Sequence, residues 1–159
     1  MRRIVLAILI QLTPLAAIAQ DFDKGFEAYS AGDFEVALKE FRPLAEQGDV
    51  DAQFNLAVMY RKGEGVPQDN AQALRWYRMA ANQGDAQAQN NLGGMYKKGE
   101  GAPRDNVSAH MWYSIATKNG SERSRENRDA LAREMSPEKI LEAERRAELC
   151  LESNYTDCD

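Results

Sequence analysis

Residues 49–84 and 85–120 are two versions of one segment. DVDAQFNLAVMYRKGEGVPQDNAQALRWYRMAANQG runs without a gap into DAQAQNNLGGMYKKGEGAPRDNVSAHMWYSIATKNG, about 36 residues per unit with roughly half the positions identical. A fixed period of about 20–50 residues marks an array in which each unit is one supersecondary element that buries its apolar face only by stacking on the next. This constrains the fold to a solenoid. It also constrains function, because stacked units build long surfaces more readily than enclosed catalytic pockets.

Each unit predicts two helices. Ala52, Leu56, Met59 and Tyr60 recur at helical spacing in the first, matched by Ala88, Leu92, Met95 and Tyr96. The stripe stops at KGEG, with Gly63 and Gly65 in one unit and Gly99 and Gly101 in the next, and Pro67 and Pro103 come after them. Glycine accepts the left-handed backbone that ends a helix. Asp69 and Asp105 are placed as N-caps of the second helices; Gln72 adds a capping-box partner and Ser108 does not. Ala73, Trp76, Tyr77 and Ala80 form the second stripe, matched by Ala109, Trp112, Tyr113 and Ala116. Gly84 and Gly120 end it, and Asp85 and Ser121 are N-caps of the next helices along the chain. Leu56, Tyr60, Trp76, Leu92, Tyr96 and Trp112 are expected to be buried between helices.

The flanks divide the rest. Residues 1–19 read as a signal peptide: Arg2 and Arg3, an apolar run from Ile4, and Ala17-Ile18-Ala19 as the cleavage pattern, leaving a mature chain that starts near Gln20. Gln11 and Pro14 interrupt a stretch already short for a membrane span. Residues 20–48 form a degenerate unit, with helices over 22–30 and 34–47. Residues 121–159 form a C-terminal cap: a polar helix over 121–134, then a helix opened by Ser136-Pro137, with Ile140, Leu141, Ala143, Ala147, Cys150 and Leu151 as its apolar face.

These residues resemble a known family. A-x-x-x-L-x-x-M-Y-x-K-G-x-G-x-P-x-D-x-x-x-A-x-x-W-Y-x-x-A-x-x-x-G is similar to the Sel1-like repeat, a relative of the tetratricopeptide repeat; Gly32, Phe34, Ala37 and Phe41 fall at tetratricopeptide-like positions in the N-terminal unit. The resemblance implies an all-α, short right-handed solenoid of helix-turn-helix repeats with a C-terminal capping helix. It implies an adaptor that holds partners together, as many family members do in bacterial signalling and export. A cysteine-rich secreted branch, with paired Cys inside each repeat, is associated with binding or hydrolysing β-lactams. Here the two full repeats contain no Cys.

Composition narrows the partners. Without Arg2 and Arg3, the 20 basic residues fall to 18 against 25 acidic, a formal charge of −7. That disfavours nucleic acid and anionic membrane surfaces. The cysteines are Cys150 and Cys158, a pair that closes a disulfide in an exported protein. With the single histidine, His110, they do not make a zinc site, and no cofactor is expected. His110 reads as a partly buried or surface helix residue rather than a catalytic base, and Glu64 and Glu100 repeat with the unit rather than forming a carboxylate pair.

The expected function is an exported, periplasmic or secreted adaptor binding a protein or peptide on the concave face lined by the first helices. The alternatives are a β-lactam hydrolase of the cysteine-rich branch and a cell-wall glycan-binding module. Ligand contacts need not match between units, so differences between the two first helices mark the groove. Phe54 stands against Asn90 and Val58 against Gly94. Phe54 and Val58 are then an apolar anchor, flanked by Arg61, Lys62, Lys97 and Lys98, and the basic rim suits an acidic or C-terminal-carboxylate peptide.

Overall fold

The computed structural model describes residues 15–158, with side chains from Phe22 onward. Residues 1–14, the greater part of the expected signal peptide, lie outside the described residues. The described residues form α1 (Leu15–Ala31), α2 (Phe34–Glu46), α3 (Val50–Lys62), α4 (Asn70–Ala81), α5 (Ala86–Lys98), α6 (Asn106–Lys118), α7 (Glu122–Ala132) and α8 (Pro137–Glu152). α1 begins upstream of the helix expected over 22–30, through an Ala-rich stretch with high helix propensity. Among the described residues no helix is long and apolar enough to cross a membrane.

Packing tracks chain order. The pairs α1–α2, α3–α4 and α5–α6 are joined by contacts of α2 with α3 and α4 with α5. Local chemistry explains why each unit closes on itself. Asp49 accepts from the Ala52 amide at 2.8 Å and Asp85 from that of Ala88 at 2.6 Å, capping the first helices. Asp69 accepts from the Gln72 amide at 3.0 Å, and Asp105 from Val107 at 2.9 Å and Ser108 at 3.2 Å. Ser108 also contributes through its side chain, not as a capping-box partner but by donating its hydroxyl to the Asp105 carboxylate at 2.6 Å; the Asp69 and Asp105 backbone amides donate instead to the Tyr60 and Tyr96 carbonyls. Gly63 and Gly99 end α3 and α5 in the left-handed region, at φ 74° and 75°.

The contacts between units repeat as faithfully as the units. Gln53 is buried and donates to the Ala45 carbonyl at 3.1 Å; Gln89 does the same to Ala81 at 3.0 Å. Gln83 donates to the Gln53 carbonyl oxygen at 2.8 Å, and Asn119 to that of Gln89 at 2.9 Å. Arg42 donates to the Tyr60 hydroxyl and Arg78 to that of Tyr96. The second glycine of each KGEG turn touches the preceding unit: a Cβ on Gly65 would lie 2.7 Å from the Phe34 carbonyl oxygen, and one on Gly101 would overlap that of Asn70.

Small residues set the core. Ala52, Ala73, Ala80, Ala88 and Ala109 are fully buried and let helices approach, with Leu56, Leu92, Trp76, Trp112 and Tyr96 between them. Tyr60 is only half-buried, contrary to expectation, because its hydroxyl reaches out to Arg42. α7 and α8 both pack on α6. As a result Ser108 to Ala116 are all buried, the pattern of a helix covered on every side. In α8 the buried stripe is Ala143, Ala147 and Cys150; Ile140 and Leu151 are half-buried. Leu141 is 68% exposed, off that stripe and not part of the face expected for it. Cys150 and Cys158 form a disulfide that folds the tail back. The Tyr155 hydroxyl then takes a hydrogen bond from the Asn119 amide at 2.9 Å.

Candidate functional site

The first helices α3 and α5, continued by α7, share a face, and an open groove crosses it. One cavity of about 350 Å³ is lined by Phe54, Val58 and Arg61 of α3, by Gln87, Asn90 and Asn91 of α5, and by Ser121 and Arg123 at the start of α7. A smaller one of about 200 Å³ shares Arg61, Asn90, Asn91 and Arg123, and adds Gly94, Lys98, Glu100, Tyr113 and Asn127.

The sequence-selected residues divide between this groove and its surroundings. Phe54, Val58, Arg61 and Asn90 line the larger cavity, and Lys98 the smaller. Phe54 is half-buried and meets Tyr77 of its own unit edge-on, ring centroids 5.7 Å apart. Arg61 lies over the same tyrosine, its guanidinium 5.8 Å from the Tyr77 centroid. Burial pushes the pKa of the Tyr77 hydroxyl up to about 12. Two of the expected rim cations stand elsewhere. Lys62 donates to the Tyr29 hydroxyl at 3.1 Å and pairs with Glu64 at 3.3 Å. Lys97 pairs with Glu134, 3.9 Å away. On α3 helical rotation accounts for the split: adjacent residues sit about 100° apart around the axis, so Lys62 cannot share the direction of Arg61. Lys98 is itself paired with Glu100 at 3.6 Å.

The groove also contains residues that a comparison of the two units passes over. Asn91 is hidden because Asn55 is identical to it, and Arg123 and Asn127 because the polar sequence of α7 reads as a cap. The groove-facing signal at α7 is periodic: Ser121 and Arg123 fall one period after Asp85 and Gln87. Asn90 is held from behind, its carbonyl oxygen accepting from Ser124 at 3.0 Å and Asn127 at 2.9 Å.

His110 lies away from this face and is 1% exposed, more deeply buried than expected, because α7 and α8 close over α6. Its Nδ1 is 3.4 Å from the Ser114 hydroxyl, longer than the reach of a working nucleophile–base pair. Burial holds its pKa below the usual imidazole value, with Arg128 adding to the effect and Glu144 and Asp129 opposing it. A depressed pKa means that the unfolded chain takes up the proton first. The stabilising contribution is therefore complete above the ordinary value of 6.5 and declines as pH falls below it toward the folded-state pKa. Urea melts between pH 8 and 5 are expected to show a steeper loss in the parent than in His110→Gln; parallel profiles would contradict this. Among the described residues no cluster of three or more His, Cys, Asp or Glu has metal-binding geometry.

The Sel1 repeat model matches residues 50–85 and 86–121. A crystal structure of a Sel1 repeat protein from Oxalobacter formigenes is 33% identical, covers 71% of this chain and 88% of that one, and superposes with a TM-score of 0.64. The chain belongs to the Sel1 repeat family. A protective antigen of uropathogenic Escherichia coli displaying an SLR fold is similar over 87% of this Sel1 repeat protein, with 29% identity and a TM-score of 0.81. An exopolysaccharide production negative regulator of Rhizobium leguminosarum bv. viciae is 42% identical over 52 residues, or 33% of this chain. The Sel1 repeat protein described here spans 20% of that regulator and 31% of the antigen.

Proposed function

We propose that this Sel1 repeat protein is an exported adaptor that binds a peptide segment of a protein partner in the groove across α3, α5 and α7. The observation that carries the reading is the composition of that groove: a half-buried apolar pair, Phe54 and Val58, beside amide and guanidinium donors, on a face open to solvent. Sel1 repeats generally mediate protein interactions, and periodic first helices build a continuous surface for them. Export is supported by the basic–apolar–Ala-Ile-Ala start, and the Cys150–Cys158 disulfide suits an oxidising periplasmic or extracellular compartment.

A hydrolase is less well supported, because the Ser114–His110 pair is long and buried, and among the described residues no third residue hydrogen-bonds the imidazole. A glycan module needs exposed aromatic platforms, and among the described residues Phe26 is the exposed aromatic side chain.

The test is comparative capture from a periplasmic extract. A partner retained by the parent is expected to be lost by Phe54→Ala, provided circular dichroism shows the variant still folded. Equal retention by a folded Phe54→Ala protein would place the partner elsewhere and remove the groove from the reading.

A further inference from the structure

The face that carries the groove continues onto α1. A Cβ on Gly25 of α1 would lie 2.8 Å from the Phe41 ring, as one on Gly93 of α5 would lie 2.8 Å from the Tyr113 ring. Phe22 meets Phe41 with ring centroids 5.5 Å apart, as Phe54 meets Tyr77 at 5.7 Å. Both relations put α1 in the register of the first helices. The N-terminal unit lacks the KGEG turn, which hides this register in the sequence. The Tyr29 hydroxyl joins α1 to the end of α3, donating to Glu64 at 2.8 Å and accepting from Lys62 at 3.1 Å.

The register gives each groove position a counterpart on α1. Phe22 corresponds to Phe54 and Asn90, Phe26 to Val58 and Gly94, and Asp23 to Asn91. All five of those partners line the groove cavities. On α1 the same positions hold two rings stacked 6.2 Å apart and a carboxylate. Phe26 is 51% exposed.

Charge selects what covers these rings. Elsewhere on this face the chain supplies its own cations: Lys62 stands 5.8 Å from the Tyr29 centroid and Arg61 5.8 Å from that of Tyr77. Among the described residues no cation stands over Phe26 and none pairs with Asp23; the adjacent Lys24 pairs with Glu40. A ring face beside an unpaired carboxylate fits a side chain with an apolar stem and a cationic end. The larger cavity disfavours such a side chain, being lined by Arg61 and Arg123 and by no carboxylate. We propose that α1 extends the groove as a subsite for a basic residue of the bound segment, its stem on Phe26 and its charge toward Asp23. This rests on the groove being the binding face and adds what the partner carries at the α1 end.

Two acetylated, C-terminally amidated peptides test it by NMR titration of the isotope-labelled protein: Arg-Ala-Ala-Leu-Leu, and the same sequence with citrulline, the neutral isostere, in place of arginine. The two alanines set the arginine and the first leucine about 10 Å apart, one helix width. The arginine peptide is expected to shift the signals of Phe22, Asp23 and Phe26 together with those of Phe54 and Asn90, and to bind about fivefold more tightly than the citrulline peptide. Asp23→Asn, an exposed change on α1, is expected to remove most of that difference. Phe26→Ala, checked for fold by circular dichroism, is expected to weaken the arginine peptide by a similar factor. Equal binding of the two peptides in the parent, or an undiminished preference for arginine in Asp23→Asn, overturns the recognition of charge. Shifts at Phe54 and Asn90 with none at Phe22 and Phe26 overturn the α1 subsite and leave the groove standing. Shifts on α1 alone, or none at millimolar peptide, overturn the extension of the groove. Movement of the Phe22 and Phe26 signals on dilution without peptide assigns the rings to a second copy of the chain and overturns it as well. The Phe54→Ala capture experiment judges the adaptor reading separately.

Discussion

Replacing Trp112 with alanine is expected to cost on the order of 3–5 kcal/mol, the range for truncating a buried aromatic. Trp112 is 1% exposed and lies on α6, the helix enclosed by α5, α7 and α8. Its neighbours belong to several elements, so they cannot collapse together into the space it leaves, and the cavity term stays large. Trp76 holds the same position one period earlier but is 7% exposed, so Trp76→Ala is expected to cost less than Trp112→Ala. Urea melts of both variants measure this. A loss below about 1 kcal/mol for Trp112→Ala would mean the enclosed-helix description is wrong.

The second large effect concerns one hydrogen-to-methyl change. Gly101→Ala is expected to lose about 2–5 kcal/mol, combining the left-handed backbone penalty of about 1–2 kcal/mol with an overpacking cost of about 1–3 kcal/mol. Gly101 has φ 79° and a Cβ there would run into the Asn70 carbonyl, which is backbone and cannot rotate aside. Gly120→Ala is the control: φ is 91° and nothing lies within 4 Å of its Cβ position. It should show the conformational penalty alone. If the two variants melt together, the close approach between units does not carry the stability assigned to it.

Much of the fold was legible because repetition separates what is structural from what is incidental. Asp49 and Asp85, Gly63 and Gly99, Trp76 and Trp112 occupy matched positions for matched reasons, and a single sequence displays both copies. The contacts between units are harder to see. The role of Gln53 and Gln89 is to satisfy a carbonyl eight residues upstream, and glutamine has no propensity signature for that task. Gly65 and Gly101 look like helix terminators in sequence, but Gly63 and Gly99 already end the helices, and the second glycine serves the neighbouring turn instead.

The groove was partly legible for the same reason and obscured by it. Searching for mismatched positions finds Phe54, Val58 and Asn90, and cannot find Asn91, which is shared. The charges mislead in a second way. Four cations sit near the ends of α3 and α5, but sequence does not reveal which of them an acid neutralises. Lys62 and Lys97 are satisfied by Glu64 and Glu134, whereas Arg123, on a helix that looks like a lid, supplies the second wall.

The repeated junction between units carries a consequence for how such proteins change over time. Gln53 and Tyr60 present to α2 what Gln89 and Tyr96 present to α4, and Arg42 and Arg78 answer in kind. A unit copied in place therefore arrives with both of its couplings already compatible. Tandem duplication of residues 49–84 would extend the face built by the first helices by one module without a new interface having to be invented, so copy number, rather than residue-by-residue substitution, becomes the simplest variable by which this architecture adjusts the length of that face.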